Sequence, residues 1–296
     1  MTRRNLITAA AGLAAMRTSL VAQAPSGVGK NLTAPPNGRI PVAFPISDGA
    51  VIIDFCGPWE VFQDTVVPRG DSNVPGFELY TVAETLDPIT ASGGMKLIPN
   101  YTFQNAPQPK VIVIPAQKGG DAMIEWIRKA SKIDDLTMSV CTGAFVLAKT
   151  GLLSGKSATT HHGSYSQLAM GYKDIRVKRG FRFVEAGDNV ASAGGLSSGI
   201  DLALRVVERY YGRFVAERTA FYMEYQGTGW MDPTGASNAA YVEKPKGNEL
   251  ICPVCGMAVS PTSSIQSKYK GVTYHFCVEI HKTEFDQNPS DFVSEK

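Results

Sequence analysis

Short apolar runs at 39–44, 77–83, 111–114 and 137–140 alternate with stretches of helical periodicity, and no other feature of the sequence constrains the fold as tightly. Runs this short, with β-branched residues, read as buried strands. Between them, 121–132 sets Met123, Ile124, Trp126, Ile127 and Ala130 mostly on one helical face, and 201–211 repeats this with Leu202, Leu204, Val206 and Val207. Such alternation implies an α/β architecture, an open parallel sheet covered on both faces. Ligands of these sheets bind outside the carboxyl ends of the strands, so the loops after the runs are where chemistry is expected.

One such loop is Ser139-Val140-Cys141-Thr142-Gly143-Ala144-Phe145. A strand ending at Val140 and a helix starting near Ala144 put Cys141 on a tight strand-to-helix turn, lifted clear of the sheet. Amides at the start of the helix would favour the thiolate and lower the cysteine pKa. The amide of Thr142 could stabilise an oxyanion, and Gly143 lets the backbone turn. An inert buried cysteine is the alternative.

The 296 residues allow one large or two modest domains. Apolar residues make up 44% and charged residues 19%, a globular composition. Twenty-nine basic against 27 acidic side chains, without a basic stripe, give no electrostatic reason to expect nucleic acid as a partner. No apolar run reaches the roughly 18–20 residues of a membrane span. The N-terminus combines Arg3 and Arg4, an apolar stretch at 9–16, and Ala22-Gln23-Ala24 before Pro25. These are the parts of a secretory signal of twin-arginine character, implying a periplasmic or secreted protein, with a disordered tail as the alternative. Residues 25–38 and 227–249 read as linkers by their turn-rich composition.

Five cysteines are too few and too unevenly spread for a disulfide scaffold. Cys252 and Cys255, followed by Cys277 and His281, form a Cys-x2-Cys and Cys-x3-His pattern suited to tetrahedral metal binding. Fewer than 50 residues bury little apolar surface, so a metal would supply the missing stability. Soft ligands put Zn(II) first, then Cu(I) or iron. The alternative is a Cys252–Cys255 disulfide formed after export.

Several blocks across residues 39–226 resemble the ThiJ/PfpI superfamily, and within it the isonitrile-hydratase-like branch. Asp54-Phe55-Cys56-Gly57-Pro58-Trp59-Glu60-Val61-Phe62 is similar to the branch's Asp-x-x-Gly-Pro-x-Glu-Val-Phe opening helix. The Val140–Ala148 stretch resembles its nucleophile elbow and Gly151-Leu152-Leu153-Ser154-Gly155 the segment after it. Ala158-Thr159-Thr160-His161 resembles the next strand end, and Ala193-Gly194-Gly195-Leu196-Ser197-Ser198-Gly199 the final turn into a helix. The resemblance implies a flavodoxin-like (class I glutamine-amidotransferase-like) sheet sandwich with no cofactor in this domain, and a homodimer. It implies Cys141 as nucleophile, Asp54 as acid and base hydrogen-bonded to it, and His161 in the pocket. The oxyanion would be held by the backbone amides of Thr142 and Gln117.

On chemical grounds alone, Asp54 at the sheet edge could shuttle a proton or serve as a helix N-cap, and His161 could be a satisfied polar residue at a strand end. Thr142 stands where protease-like relatives carry a histidine, which argues against peptide hydrolysis. His162 replaces a tryptophan common in the branch, and Pro115-Ala116-Gln117 replaces Pro-Gly-Gly. Cys56 reads as packing, or as a thiol able to pair after export.

The C-terminal segment 250–296 resembles a YHS domain, with Tyr274-His275-Phe276 for Tyr-His-Ser and Pro253-Val254-Cys255-Gly256-Met257 as its opening. Cys252 replaces the family's usual aspartate and His281 its usual second cysteine. The activity implied is hydration of an isonitrile to an N-substituted formamide, with a small electrophile as substrate. The alternatives are glyoxalase-type hydration of a small dicarbonyl and a non-enzymatic metal or redox sensor with a low-pKa Cys141. Regulatory relatives carry a helix-turn-helix extension, and the residues after 225 show no such pattern.

Overall fold

Alternate residues of the central strands serve two cores. In the computed structural model, which describes residues 29–36, 38–232, 250–255 and 257–293, Val111 and Val113 enter one core while Ile112 and Ile114 enter the other. The strand they form, with Leu136–Ser139 beside it, is buried at every position. Each such side chain contributes about 1.5–3 kcal/mol by leaving water, so a continuous apolar run is stable only in the middle of a two-sided sheet.

The sheet has seven strands: β1 (Ile40–Pro45), β2 (Phe77–Ala83), β3 (Tyr101–Thr102), β4 (Val111–Ile114), β5 (Leu136–Ser139), β6 (Phe183–Glu185) and β7 (Val190–Ala193). Their spatial order is β6-β7-β5-β4-β1-β2-β3. Every pairing is parallel except β6 with β7. One face is covered by α1 (Ile52–Gln63), α5 (Ser198–Tyr211) and α6 (Arg213–Tyr222), the other by α2 (Asp121–Ala130), α3 (Gly143–Lys149) and α4 (Tyr165–Gly171). The expected α/β sandwich is therefore present, with strand and helix ends shifted by a few residues. α1 and α5 cross closely, because a Cβ at Gly199 would lie 2.9 Å from Val140 and 3.3 Å from Pro58.

Composition misplaced two boundaries. Trp230, assigned to the 227–249 linker, is fully buried in the α1/α5 core, with Arg213 stacked 5.0 Å over its ring. Residues 29–32, assigned to the 25–38 linker, are fastened to α5. Arg205 donates to the Gly29 carbonyl, Arg209 donates to the Lys30 carbonyl, and the Leu32 amide donates to the Arg209 carbonyl. Both arginines pair with the buried Glu185. Turn-rich composition is a local signal and tertiary contacts override it. The export segment 1–24 with its cleavage point at Ala24, and residues 25–28 and 233–249 of the two linkers, lie outside the described residues. Among the described residues no helix is long and apolar enough to cross a membrane.

The C-terminal unit carries β8 (Leu250–Ile251), β9 (Ala258–Val259), the hairpin β10 (Gln266–Tyr269) and β11 (Val272–His275), then α7 (Glu279–Gln287). Its core is five buried side chains, Cys252, Val254, Val259, Phe276 and Phe285. α7 packs against α4 of the larger unit.

Candidate active site and candidate metal centre

Four loops at the carboxyl edge of the sheet converge on Cys141. They follow β1 (Asp54), β4 (Ala116), β5 (Cys141 itself) and β7 (Gly194–Ser198), as expected for ligand sites in open parallel sheets. Cys141 adopts a left-handed backbone at φ +57°, which costs a non-glycine residue on the order of 1–3 kcal/mol. Its amide donates to the Gly194 carbonyl at 2.8 Å, and its carbonyl accepts from Thr160 Oγ1 at 2.9 Å. Gly143 permits the turn, since a Cβ there would sit 2.3 Å from the Ile114 carbonyl oxygen.

Asp54 is fully buried in the first turn of α1. It is not the N-cap, a position held by Val51. The Ala116 amide donates to its Oδ2 at 3.1 Å, and Oδ1 has no conventional hydrogen-bond partner among the described residues. The remaining polar neighbour of the carboxyl is the Cys141 thiol, close enough for each group to shift the other's titration. Burial raises Asp54 to about 6, against the opposing pull of the Ala116 amide and the thiol. Burial and the Asp54 charge raise Cys141 to about 11, partly offset by the amides of Thr142 and Leu196.

The low-pKa thiolate expected from the helix start is thus corrected. α3 has only seven residues, and the thiol of a residue only 7% exposed loses more from desolvation than two amides return. The carboxyl gives up its proton at lower pH than the thiol does, so the last proton of the pair sits on sulfur.

Two amides face the sulfur, those of Thr142 and Leu196. Gln117 turns its side chain to Ser47 and the Pro45 carbonyl. Leu196 shares the left-handed backbone of Cys141, at φ +48°, and an apolar residue after two glycines gave no sequence cue to its amide.

His161 lines a cavity of about 130 Å3 with His162, Tyr165, Phe181, Arg182 and Leu196. That is about four water volumes, room for a small molecule. His161 Nδ1 accepts from the Gly163 amide, which leaves Nε2 as the protonated nitrogen of the neutral ring. Burial and then His162 lower its pKa, and the two imidazoles lie 4.2 Å apart. A larger groove, about 660 Å3 at the end of α6, contains none of these residues. Cys56 is half-buried against the core.

In the C-terminal unit, Cys252, Cys255, Cys277 and His281 present four ligand atoms within 4.8 Å of one another. Cys277 Sγ lies 3.0 Å and Cys252 Sγ 3.7 Å from His281 Nδ1, and the sulfurs of Cys255 and Cys277 are 3.5 Å apart. A tetrahedral thiolate site with bonds of about 2.3 Å needs ligand edges of about 3.8 Å, so the donor set fits a soft divalent or monovalent metal. All five cysteines are unbridged, Cys252 and Cys255 included. Hydrogen bonds from Cys255 and His281 hold the Cys252 thiol below its ordinary range, and Cys255 is raised in exchange.

The family model described as the DJ-1/PfpI family matches residues 41–209, and that of the YHS domain matches residues 250–296. Isonitrile hydratase of Pseudomonas putida is 33% identical over 179 residues, 58% of this chain and 73% of that protein. The HTH-type transcriptional regulator CdhR of Pseudomonas aeruginosa is 27% identical over 130 residues, 42% of this chain and 38% of the regulator. Among solved structures, a ThiJ/PfpI family protein from Pseudomonas syringae superposes with a TM-score of 0.56 at 25% identity, covering 64% of this chain and 76% of that one. Drosophila melanogaster DJ-1beta superposes with a TM-score of 0.55 at 18% identity, covering 64% of this chain and all of that one.

Proposed function

Because the chain belongs to the DJ-1/PfpI family and buries a carboxylate against the thiol on its strand-to-helix turn, we propose that it is a cysteine-dependent hydratase of isonitriles. The observation that carries the reading is the Asp54–Cys141 pair, a fully buried carboxyl held by the Ala116 amide and set against the thiol on its left-handed turn. The similarity to isonitrile hydratase supports the substrate class, and the small cavity beside Leu196 suits a compact substrate.

Sulfur attacks the terminal carbon of the isonitrile while Asp54 takes the thiol proton and passes it to that carbon, forming a thioimidate. Water then adds to the same carbon, giving one proton to Asp54 as the nitrogen gains one. The carbon–sulfur bond breaks, its electron pair returns to sulfur with the proton from Asp54, and an N-substituted formamide leaves. The sum is isonitrile plus water, with no oxidant or reductant. The amides of Thr142 and Leu196 stabilise negative charge on sulfur as the proton departs.

The raised thiol counts against the sensor reading, because peroxide reacts with thiolate and a sensor needs a low pKa. A metal held by Cys252, Cys255, Cys277 and His281 would act as a structural cross-link within the C-terminal unit. The proposal extends to export, on the twin-arginine-like pattern of residues 1–24, and to pairing of two copies, which the family resemblance implies.

The test is incubation of the full-length protein with an alkyl isonitrile, following the formamide by proton NMR, with methylglyoxal in parallel. Formamide release that vanishes in Cys141→Ala is the expected outcome. Formamide formed equally well by Cys141→Ala would sink the reading, and turnover of methylglyoxal alone would replace it with dicarbonyl hydration.

A further inference from the structure

Among the described residues an ion pair joins the two units, and it lies between the helix that carries His281 and the cavity lined by His161 and Leu196. Arg179 pairs with Glu284 of α7, with side chains only 20% and 10% exposed. The guanidinium is sandwiched between two rings, 5.4 Å from that of Tyr165 in α4 and 5.3 Å from that of Phe292 in the C-terminal unit. Arg179 Nη1 and Glu284 Oε2 are buried without partners among the described residues, so little besides this pair holds either charge. A second link runs from Lys173 Nζ to Gln287 Oε1 at 2.9 Å.

Each end of this junction leads to a site. On the small unit, Glu284 follows His281 by three residues and shares the buried side of α7 with it. On the large unit, the Tyr165 hydroxyl accepts the Gly180 amide at 3.0 Å. Phe181 and Arg182, next in the chain, line the cavity with Tyr165 and Leu196. Arg182 is fixed to Asp201 at 2.6 Å, and the Leu196 amide faces the Cys141 sulfur.

We propose that Arg179 is a positioning residue for the Cys141 pocket, and that Glu284 holds it in place only while the four-ligand cluster is closed on a metal. The inference rests on Cys141 being the reactive group. Closing the cluster fixes the start of α7 through His281, α7 presents Glu284, and the pair draws Arg179 against Tyr165 and steadies the 178–182 loop. Without that closure Glu284 is no longer held opposite Arg179. The loop then relaxes, and a thiol that is now nearly enclosed becomes accessible. Linkage makes the relation reciprocal, so a ligand bound in the pocket tightens metal binding by the same factor that metal tightens the pocket.

The experiment follows alkylation of Cys141 by iodoacetamide, read on its own peptide by mass spectrometry, in full-length protein loaded with zinc or stripped by chelator. Stripping should accelerate Cys141 alkylation on the order of 3–30-fold. Zinc-loaded Glu284→Gln should react at nearly the stripped rate while keeping one equivalent of metal, because Glu284 is not a ligand. Arg179→Lys should fall between, keeping the charge without the ring stacking. In the Arg179→Ala/Glu284→Gln double variant, stripping should add nothing further. An unchanged rate on stripping the unaltered protein overturns the proposal without recourse to any variant. A metal effect of equal size in the double variant also overturns it. Alkylation needs no substrate, so failure to hydrate isonitriles leaves this result readable, and metal-independent alkylation leaves the hydratase reading intact.

Discussion

Asp54 shows a residue whose function and stability pull in opposite directions. Its carboxyl is raised to about 6 by burial, so between the ordinary carboxylate range and pH 6 the folded protein binds more protons than the unfolded chain. Stability therefore falls as pH rises through that window, and by pH 7 ionised Asp54 costs about 2–3 kcal/mol. Asp54→Asn keeps an acceptor for the Ala116 amide and removes the charge. Thermal unfolding at pH 7 should show the variant more stable, with the difference vanishing near pH 4, while hydration slows about 10²–10⁴-fold. In the unaltered protein kcat/KM should rise with pH to a plateau above about 6, since only ionised Asp54 accepts the thiol proton. A variant less stable at pH 7, or a rate flat across pH 5–7, would contradict this account.

In the turn from β5 into α3, function and stability instead depend on the same residue. Gly143 lies where a Cβ would meet the Ile114 and Pro115 carbonyl oxygens at 2.3 and 2.8 Å, and backbone cannot step aside as a side-chain end can. Gly143→Ala should cost about 1–3 kcal/mol or more by urea denaturation and should shift Cys141, lowering activity beyond what stability explains. Wild-type stability in that variant would mean the turn tolerates a Cβ. This element was legible in the sequence because apolar periodicity and small residues at a turn are local signals. Cys141 and the candidate metal set Cys252, Cys255, Cys277 and His281 stand out in the sequence for a related reason, since residue type and spacing carry them, and Asp54 stands out through the family resemblance; the structure brings each group together. The Leu196 amide, Trp230 and Arg179 were not. A backbone donor has no residue type to betray it, and the other two owe their surroundings to residues distant in the chain. The thiol's pKa was misjudged because helix direction can be read from sequence while depth of burial cannot.

For the whole molecule, the two units depend on different stabilising terms. The α/β unit has two extended cores, whereas the C-terminal unit has five buried apolar side chains and a candidate metal centre. Cys277→Ser should lose the metal and, in calorimetry, the transition of the small unit, while the main transition remains; structural zinc sites supply on the order of 10 kcal/mol that such a core lacks. A small unit that melts unchanged without metal would refute that division. The N-terminal segment adds a constraint of another kind, one of order in time. Gly29 and Lys30 are held by Arg205 and Arg209, 176 and 179 residues later in the chain. During synthesis their partners, Asp188 for Lys30 and then the two arginines, appear only once residues 188–209 have been made, long after β1 and β2 are available to pair. Loops of that length close late because their entropy must be overcome before any contact rewards it. The first described residues of the chain are thus among the last to be fixed, and Gly29 and Lys30 wait for their arginine contacts until the ribosome has built α5.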